Sequence, residues 1–231
     1  MDSIVKTLSE LLILVPPILL AITFHEAAHG FAANFYGDDT AKRLGRLTLN
    51  PIAHVDRFGT IILPLMLFLL PGNLLFGYAK PVPVDVSRLR TPRWDMAKVA
   101  FAGPAMNFAL AIVAVLAIPL AANLPTGLAT TVLSMLDIFL FFNVLLGMFN
   151  LLPLPPLDGG RIVTAFLPVS LARPFMRLER FGIFLVIGLF FLVPMIGRQF
   201  GLQLEPFRAL VLGPSEWVTK TLVGLLTQAL S

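Results

Sequence analysis

Residues 11–30 read LLILVPPILLAITFHEAAHG, an apolar run that ends in two histidines and one glutamate. Continued to about Tyr36, this stretch is long enough to cross a bilayer as one helix, and Glu26 is its only formal charge. Ionisable side chains inside a spanning helix are costly and usually serve a function. We therefore predict a membrane helix that carries a functional site.

The composition of the whole chain also indicates a multi-spanning membrane protein. Of its 231 residues, 57% are hydrophobic and 13% are charged, whereas an average soluble domain has about 25% charged residues. Most of the 17 basic residues lie in three connections, residues 37–57, 80–98 and 158–180. The positive-inside rule places these connections on the cytoplasmic side, and the net charge of +4 does not indicate a nucleic-acid partner.

The uncharged runs predict an all-α polytopic membrane protein with about five to six transmembrane helices. We expect one intramembrane domain over residues 1–231, with a catalytic core over about 8–165 and C-terminal helices over about 175–231. After the first span, uncharged runs cover residues 99–136, divided at 123–127, then 138–157 and 181–197. The amphipathic stretch 214–230 either spans the membrane or lies in its interface, and the sequence does not decide between these alternatives.

The connection between the first two long spans has two unusual segments. Residues 58–72 are uncharged but interrupted by prolines, which favours a re-entrant hairpin that keeps residues 37–57 and 80–98 on one side. Residues 77–86 read GYAKPVPVDV, and their alternating side chains and two prolines predict an edge strand at the membrane surface. The predicted fold therefore includes a small membrane-associated β element.

The motif HEAAH at residues 25–29 predicts a metal site. His25 and His29 are separated by four positions, so on a helix both imidazoles lie on one face and can bind the same ion. Glu26 is then the candidate general base. The alternative is a pair of polar residues that line a helix–helix contact, but the apolar setting favours a metal that compensates the buried groups.

A catalytic zinc site needs a third protein ligand, and the chain has no cysteine to supply it. One candidate is Asp158, which follows Pro153, Pro155 and Pro156 at a point where the fourth span cannot remain helical. Its alternative role is to cap the following helix. The other candidate is His54, whose loop position suits an ordinary turn histidine. With a re-entrant 58–72, Asp158 emerges on the same side as the histidines, so charge distribution and zinc geometry favour one topology.

Three motifs together resemble the site-2 protease family of intramembrane zinc metalloproteases. They are HEAAH at 25–29, GPAMN at 103–107 and LDGG at 157–160, and the resemblance covers the chain to about residue 165. The match is nearest to small bacterial members without PDZ or CBS domains. The resemblance implies a fold built around one Zn²⁺ per chain, with His25, His29 and Asp158 as ligands and Glu26 as catalytic base.

The resemblance also implies substrate-binding residues. Gly103 and Asn107 fall in a GxxxN pattern that lies beside the family's active site, and Asn150 is similar to a residue that holds the substrate main chain. His54 is an auxiliary candidate without an assigned role. The implied substrate is a single-pass membrane protein, cut in or near its transmembrane segment in regulated intramembrane proteolysis.

The implied location is the bacterial cell membrane, with the active site toward the cytoplasm. The partners are the substrate and the lipid bilayer, without nucleic acid, and the oligomeric state is left open. The rival classes are a metal transporter or scaffold and a protease homologue that binds without cutting. A transporter would need ionisable residues along successive spans. Outside the proposed site, however, Asp137 is the only ionisable residue between Val99 and Leu157. The intact Glu26 argues against an inactive homologue.

Overall fold

A computed structural model describes residues 2–62, 66 and 80–230, and these residues are predominantly helical. The α-helices, in chain order, are α1 (Asp2–Phe35), α2 (Thr40–Arg43), α3 (Pro51–His54), α4 (Pro92–Ala122), α5 (Thr126–Asn150), α6 (Asp158–Phe166), α7 (Val169–Arg177), α8 (Gly182–Ile187), α9 (Val193–Gln199) and α10 (Gly213–Leu230). Short 3₁₀ segments cover Val86–Arg88 and Leu178–Phe181, and π-helical segments cover Arg57–Ile62, Gly188–Leu192 and Arg208–Leu212.

Four helical stretches in the described part of the chain are long and apolar enough to cross a membrane. They are Glu10–Phe35, Pro92–Ala122, Thr126–Asn150 and Val169–Gln199. The last stretch is continuous from α7 through α9 and includes the predicted span at 181–197. The prediction of an all-α membrane protein is therefore confirmed, whereas the number of five to six spans stays a prediction.

The core of the bundle is formed where α4 and α5 run side by side. Small residues on α4, Ala111 and Ala114, pack against Leu140 and Val144 of α5, and all four are buried. Small side chains let membrane helices approach closely, and dispersion contacts then hold them together. One face of α10 packs on this cluster through Val218, Leu222, Val223 and Leu226. The stretch 214–230 thus packs on the bundle through its middle part.

The end of α1 and the start of α4 lie at the same end of the bundle. The Arg90 amide donates to the Tyr36 carbonyl at 3.1 Å, and the Arg90 guanidinium donates to the Phe35 carbonyl at 3.1 Å. At the same end, Arg93 in the first turn of α4 donates to the Ala165 carbonyl of α6 at 2.9 Å and also to the Leu167 carbonyl. These contacts bring α6 to the end of α1 that holds the histidines.

The helix break predicted before Asp158 is confirmed. Helix α5 ends at Asn150, and the backbone turns until α6 starts at Asp158. A Cβ atom on Gly159 would collide with the carbonyls of Leu151 and Leu152, and one on Gly160 would lie 2.7 Å from the Pro155 nitrogen. The two glycines are therefore required because the start of α6 presses directly against the chain that precedes it.

Residues 80–85 are neither helix nor strand, and three of their amides bond to groups of other segments. Lys80 donates to the His54 carbonyl at 2.9 Å, Val82 to a Glu26 carboxylate oxygen at 2.8 Å, and Asp85 to the Asp38 carboxylate at 2.7 Å. The remainder of the predicted strand, residues 77–79, lies outside the described residues, as does the predicted re-entrant hairpin beyond Ile62 except for Met66.

Candidate metal centre

Three side chains from two helices converge at the end of the bundle. Nε2 of His25 lies 3.0 Å from Nε2 of His29, and each of these nitrogens lies 3.2 Å from Oδ2 of Asp158. The histidines come from successive turns of α1, as the HEAAH spacing predicts, and Asp158 comes from the first turn of α6. Among the described residues, these three form the group whose ligand atoms suit a metal ion.

The other ring nitrogen of each histidine, Nδ1, donates a hydrogen bond to an oxygen atom of the protein. His25 Nδ1 donates to Asn107 Oδ1 at 2.6 Å, and His29 Nδ1 donates to the Val99 carbonyl at 2.8 Å. A neutral imidazole that carries its proton on Nδ1 has a lone pair on Nε2. Both Nε2 lone pairs therefore face each other and the Asp158 carboxylate.

This arrangement fits a zinc ion. Asp158 Oδ2 is buried and has no hydrogen-bond partner, so three acceptor atoms meet without a donor between them. Buried polar atoms without partners are costly, and a cation would compensate all three. With bonds of about 2.0 Å, two ligands of a tetrahedral zinc lie about 3.3 Å apart, which is close to the separations found here. Two imidazoles and one carboxylate also leave a fourth position open, as catalytic zinc sites require.

The Asp158 carboxyl has the ionisation state that binds cations. Burial raises its pKa, but the hydrogen bonds and positive charge that His25 and His29 supply when they are protonated lower it more, and the net pKa lies well below the ordinary range. The carboxylate is therefore deprotonated at neutral pH. Of the two candidates for the third ligand, Asp158 lies with the histidines. His54 is buried, and its Nε2 bonds to the Thr48 carbonyl at 2.9 Å.

Gly103 lets α4 approach the two imidazoles. A Cβ atom at this position would lie 2.5 Å from His29 and 2.6 Å from His25 ring atoms, closer than packed atoms come. Four positions later, Asn107 is fully buried, and its amide also donates to Asn143 Oδ1 at 2.9 Å. The substrate contacts predicted for Gly103 and Asn107 stay predictions; here both residues face the histidines.

An open cavity of about 170 Å³ leads to the three ligand atoms. Glu26 lines it beside the histidines, and one carboxylate oxygen of Glu26 accepts a hydrogen bond from the Val82 amide. The half-buried Asn150 lines it as well, and its amide donates to the Leu146 carbonyl at 3.0 Å. The remaining walls come from Pro81, Val82, Val84, Met96, Val99, Pro156 and Arg161.

Three groups at this site were not predicted from the sequence: the Val99 carbonyl, Arg161 and Asn143. The Val99 carbonyl could not be found from sequence, since every residue carries one. Arg161 directly follows LDGG, and a basic residue next to a predicted metal ligand is a signal that could have been followed. Asn143 is a single amide in an otherwise apolar part of α5, and polar residues in membrane helices usually find partners in neighbouring helices.

Comparison with known proteins agrees with this geometry. The sequence profile of Peptidase family M50 matches residues 13–131 and 119–195. A Bacillus subtilis protein named "Putative zinc metalloprotease YwhC" is 38% identical over 186 residues, which cover 79% of this chain and 81% of the relative. A Mycobacterium tuberculosis protein of the same description, Rip2, is 31% identical over 189 residues, 79% of this chain and 68% of the relative.

No solved structure matches the chain. The family profile covers well over half of the residues, and the Bacillus relative is matched over most of its own length. The buried ligand triangle, the apolar helices around it and these matches lead to the same assignment. The chain is a multi-pass membrane zinc metalloprotease that belongs to Peptidase family M50, the site-2 protease family.

Proposed function

We propose that this protein hydrolyses a peptide bond in or near the transmembrane segment of a single-pass membrane protein, as a step of regulated intramembrane proteolysis. The observation that carries the proposal is the position of the ligand atoms. His25 and His29 lie within the apolar stretch Glu10–Phe35, and their Nε2 atoms open onto a cavity that also holds a carboxylate. A substrate bond must therefore reach the cavity from within or beside the bilayer.

His25, His29 and Asp158 would hold the zinc ion. When bound, zinc acts as a Lewis acid that polarises a peptide carbonyl and lowers the pKa of water. Glu26 takes a proton from the attacking water and delivers it to the leaving amine, which is the usual work of a carboxylate general base. Its place in the cavity beside the ligand atoms supports this role.

Asn150 and the segment 80–85 are the candidate contacts for the substrate main chain. A helical substrate keeps its carbonyls in hydrogen bonds to residues four positions away, so it has to unwind before attack. Asn150 offers amide groups in the cavity wall, and Val82 and Val84 of the segment 80–85 line the same cavity. The added hydrogen bonds would compensate the substrate for those it loses.

The basic connections support an active site that opens toward the cytoplasm of a bacterial cell. Six basic residues lie at the end of the bundle that holds the ligand triangle. Three follow α1 and three precede or begin α4, namely Lys42, Arg43 and Arg46, and Arg88, Arg90 and Arg93. Cytoplasmic loops carry such an excess of basic residues. Cleavage there would release a cytoplasmic fragment of the substrate.

The test is a paired measurement on purified protein in detergent. Zinc content is measured by elemental analysis, and cleavage is followed on a model transmembrane substrate, for the wild type, Glu26→Gln, Asp158→Ala and His54→Ala. We expect about one zinc per chain in the wild type. Glu26→Gln should keep the zinc and lose cleavage, Asp158→Ala should weaken zinc binding, and His54→Ala should keep it. Cleavage by Glu26→Gln at the wild-type rate would refute the proposed base.

A further inference from the structure

A chain of hydrogen bonds connects the candidate metal centre to the middle of the bundle. His25 Nδ1 bonds to Asn107 Oδ1 at 2.6 Å, and Asn107 Nδ2 bonds to Asn143 Oδ1 at 2.9 Å. Asn143 Nδ2 in turn donates to the Phe139 carbonyl at 2.8 Å. The chain joins α1, α4 and α5, and both asparagine side chains are completely buried. Both amide groups are therefore shielded from solvent.

The direction of this chain is set at the Phe139 end. A carbonyl oxygen only accepts, so the NH₂ group of Asn143 has to point at Phe139 and its oxygen has to point at Asn107. That oxygen needs a donor, which orients the NH₂ group of Asn107 toward Asn143 and its oxygen toward His25. The oxygen then requires a proton on His25 Nδ1. Each amide therefore has one possible orientation. The orientation of Asn107 keeps the proton of His25 on Nδ1 and the lone pair on Nε2.

We propose that Asn143 is a positioning residue for the zinc ligand His25 and acts through Asn107 by fixing the imidazole tautomer. The inference rests on the proposed role of His25 as a ligand. The opposite tautomer carries its proton on Nε2, which faces His29 and Asp158 and could not bind a metal. Partners of ligating histidines commonly change metal affinity about 10–100-fold when they are replaced.

Removing Asn143 would free the orientation of Asn107. The Asn107 amide also lies 3.4 Å from the Ala21 carbonyl, a long contact that alone holds it weakly. A rotated Asn107 would present its NH₂ group to His25 Nδ1 and favour the tautomer that does not bind metal. We expect this route, and not a change in the shape of the bundle, to lower zinc affinity.

The experiment measures the zinc affinity of the full chain in detergent by competition with a chelator, using Zn²⁺ alone as the probe. Asn143→Ser can still bond to a carbonyl four residues earlier, as Ser134 does on the same helix, but it is too short to reach Asn107. Its affinity should fall about tenfold or more. Asn143→Asp keeps an acceptor toward Asn107 and should retain affinity within about threefold of the wild type.

The matched control is Asn123→Leu. Asn123 also donates to a carbonyl four residues earlier, at 2.8 Å, but it is exposed at the end of α4 away from the site. The thermal midpoint of chelator-treated protein is measured for every variant, since a purely structural role would lower that midpoint and leave zinc affinity unchanged. That result, or equal affinities of the Ser and Asp variants, would overturn the proposal. Failure of the wild type to bind zinc, or retention of zinc by His25→Ala, would instead overturn the ligand assignment.

Discussion

A Cβ atom at Gly103 would lie 2.5 Å from Nε2 of His29, the atom that faces the other two ligand atoms. The backbone of α4 is therefore a wall of the metal centre, and the absence of a side chain at Gly103 is a condition for the observed ring positions. The His29 ring cannot move away freely because its Nδ1 is hydrogen-bonded to the carbonyl of Val99, which lies on α4 together with Gly103.

Gly103→Ala should lower zinc affinity at least about tenfold, by displacing both imidazoles from their partners. Zinc content and chelator competition would measure the loss. Gly127→Ala is the matched control, because a Cβ atom there meets nothing within 4 Å. Wild-type zinc affinity in Gly103→Ala would show that the rings can shift without cost and that the close approach is not required.

Removal of the metal should destabilise the protein. Without a cation, two imidazole lone pairs and a carboxylate oxygen face one another in a buried site, which is unfavourable. The three groups meet only in the folded chain, so zinc should bind the folded state much more tightly than the unfolded state and stabilise it. We expect a chelator to lower the thermal midpoint in detergent, and added zinc to restore it. Glu26→Gln should show the same shift, whereas Asp158→Ala should show a much smaller one. An equal shift in Asp158→Ala would place the bound zinc elsewhere.

Val82→Pro should reduce cleavage without loss of zinc. The substitution removes the N–H group that holds the Glu26 carboxylate at 2.8 Å, and a hydrogen bond to a charged acceptor is worth about 1.5–3 kcal/mol. Glu26 then loses its fixed position in the cavity. Val82→Ala keeps the N–H group and is expected to cleave at near the wild-type rate. Cleavage assays and zinc analysis on both variants separate the lost hydrogen bond from the lost side chain.

Asp38→Ala should destabilise the fold by about 1–3 kcal/mol. The carboxylate is fully buried and accepts hydrogen bonds from the Thr40 amide, the Thr40 hydroxyl and the Asp85 amide, so it fixes the segment 80–85 to the end of α1. Its neighbour supplies the control. Asp39 is half-exposed and forms surface ion pairs with Arg43 and Arg88, which contribute about 0–1 kcal/mol. Thermal unfolding in detergent should rank Asp38→Ala well below Asp39→Ala.

Most features of the fold and the site that could be predicted were visible as patterns within short stretches of the sequence. The four-residue spacing of His25 and His29, the prolines before Asp158 and the charge of the connections each report on a short stretch of chain. Together they predicted the pairing of the two histidines, the helix break before Asp158 and the common end of the bundle where these three side chains meet. The choice of Asp158 over His54 as third ligand rested on the family resemblance and the predicted topology. Such signals are visible because helix periodicity and proline sterics act within a few residues.

The polar partners of the ligands could not be predicted in this way. Asn107 reaches His25 across more than a third of the chain, and Asn143 reaches Asn107 from a third helix. Which partner an isolated amide finds depends on how helices rotate against one another, and that rotation is set by packing of residues such as Ala111 and Val144. The family resemblance assigned Asn107 to the substrate, while in this structure its oxygen accepts a hydrogen bond from His25, a proposed metal ligand.

The order of the ligands along the chain has a consequence for biosynthesis. Both histidines lie in the first long helix, whereas Asp158 follows them by more than half of the chain and only after α4 and α5. A growing polypeptide therefore has no third ligand until those two helices have been made. If these three residues hold the zinc as proposed, the metal site is completed only when the bundle is, so partly synthesised chains would lack hydrolytic activity.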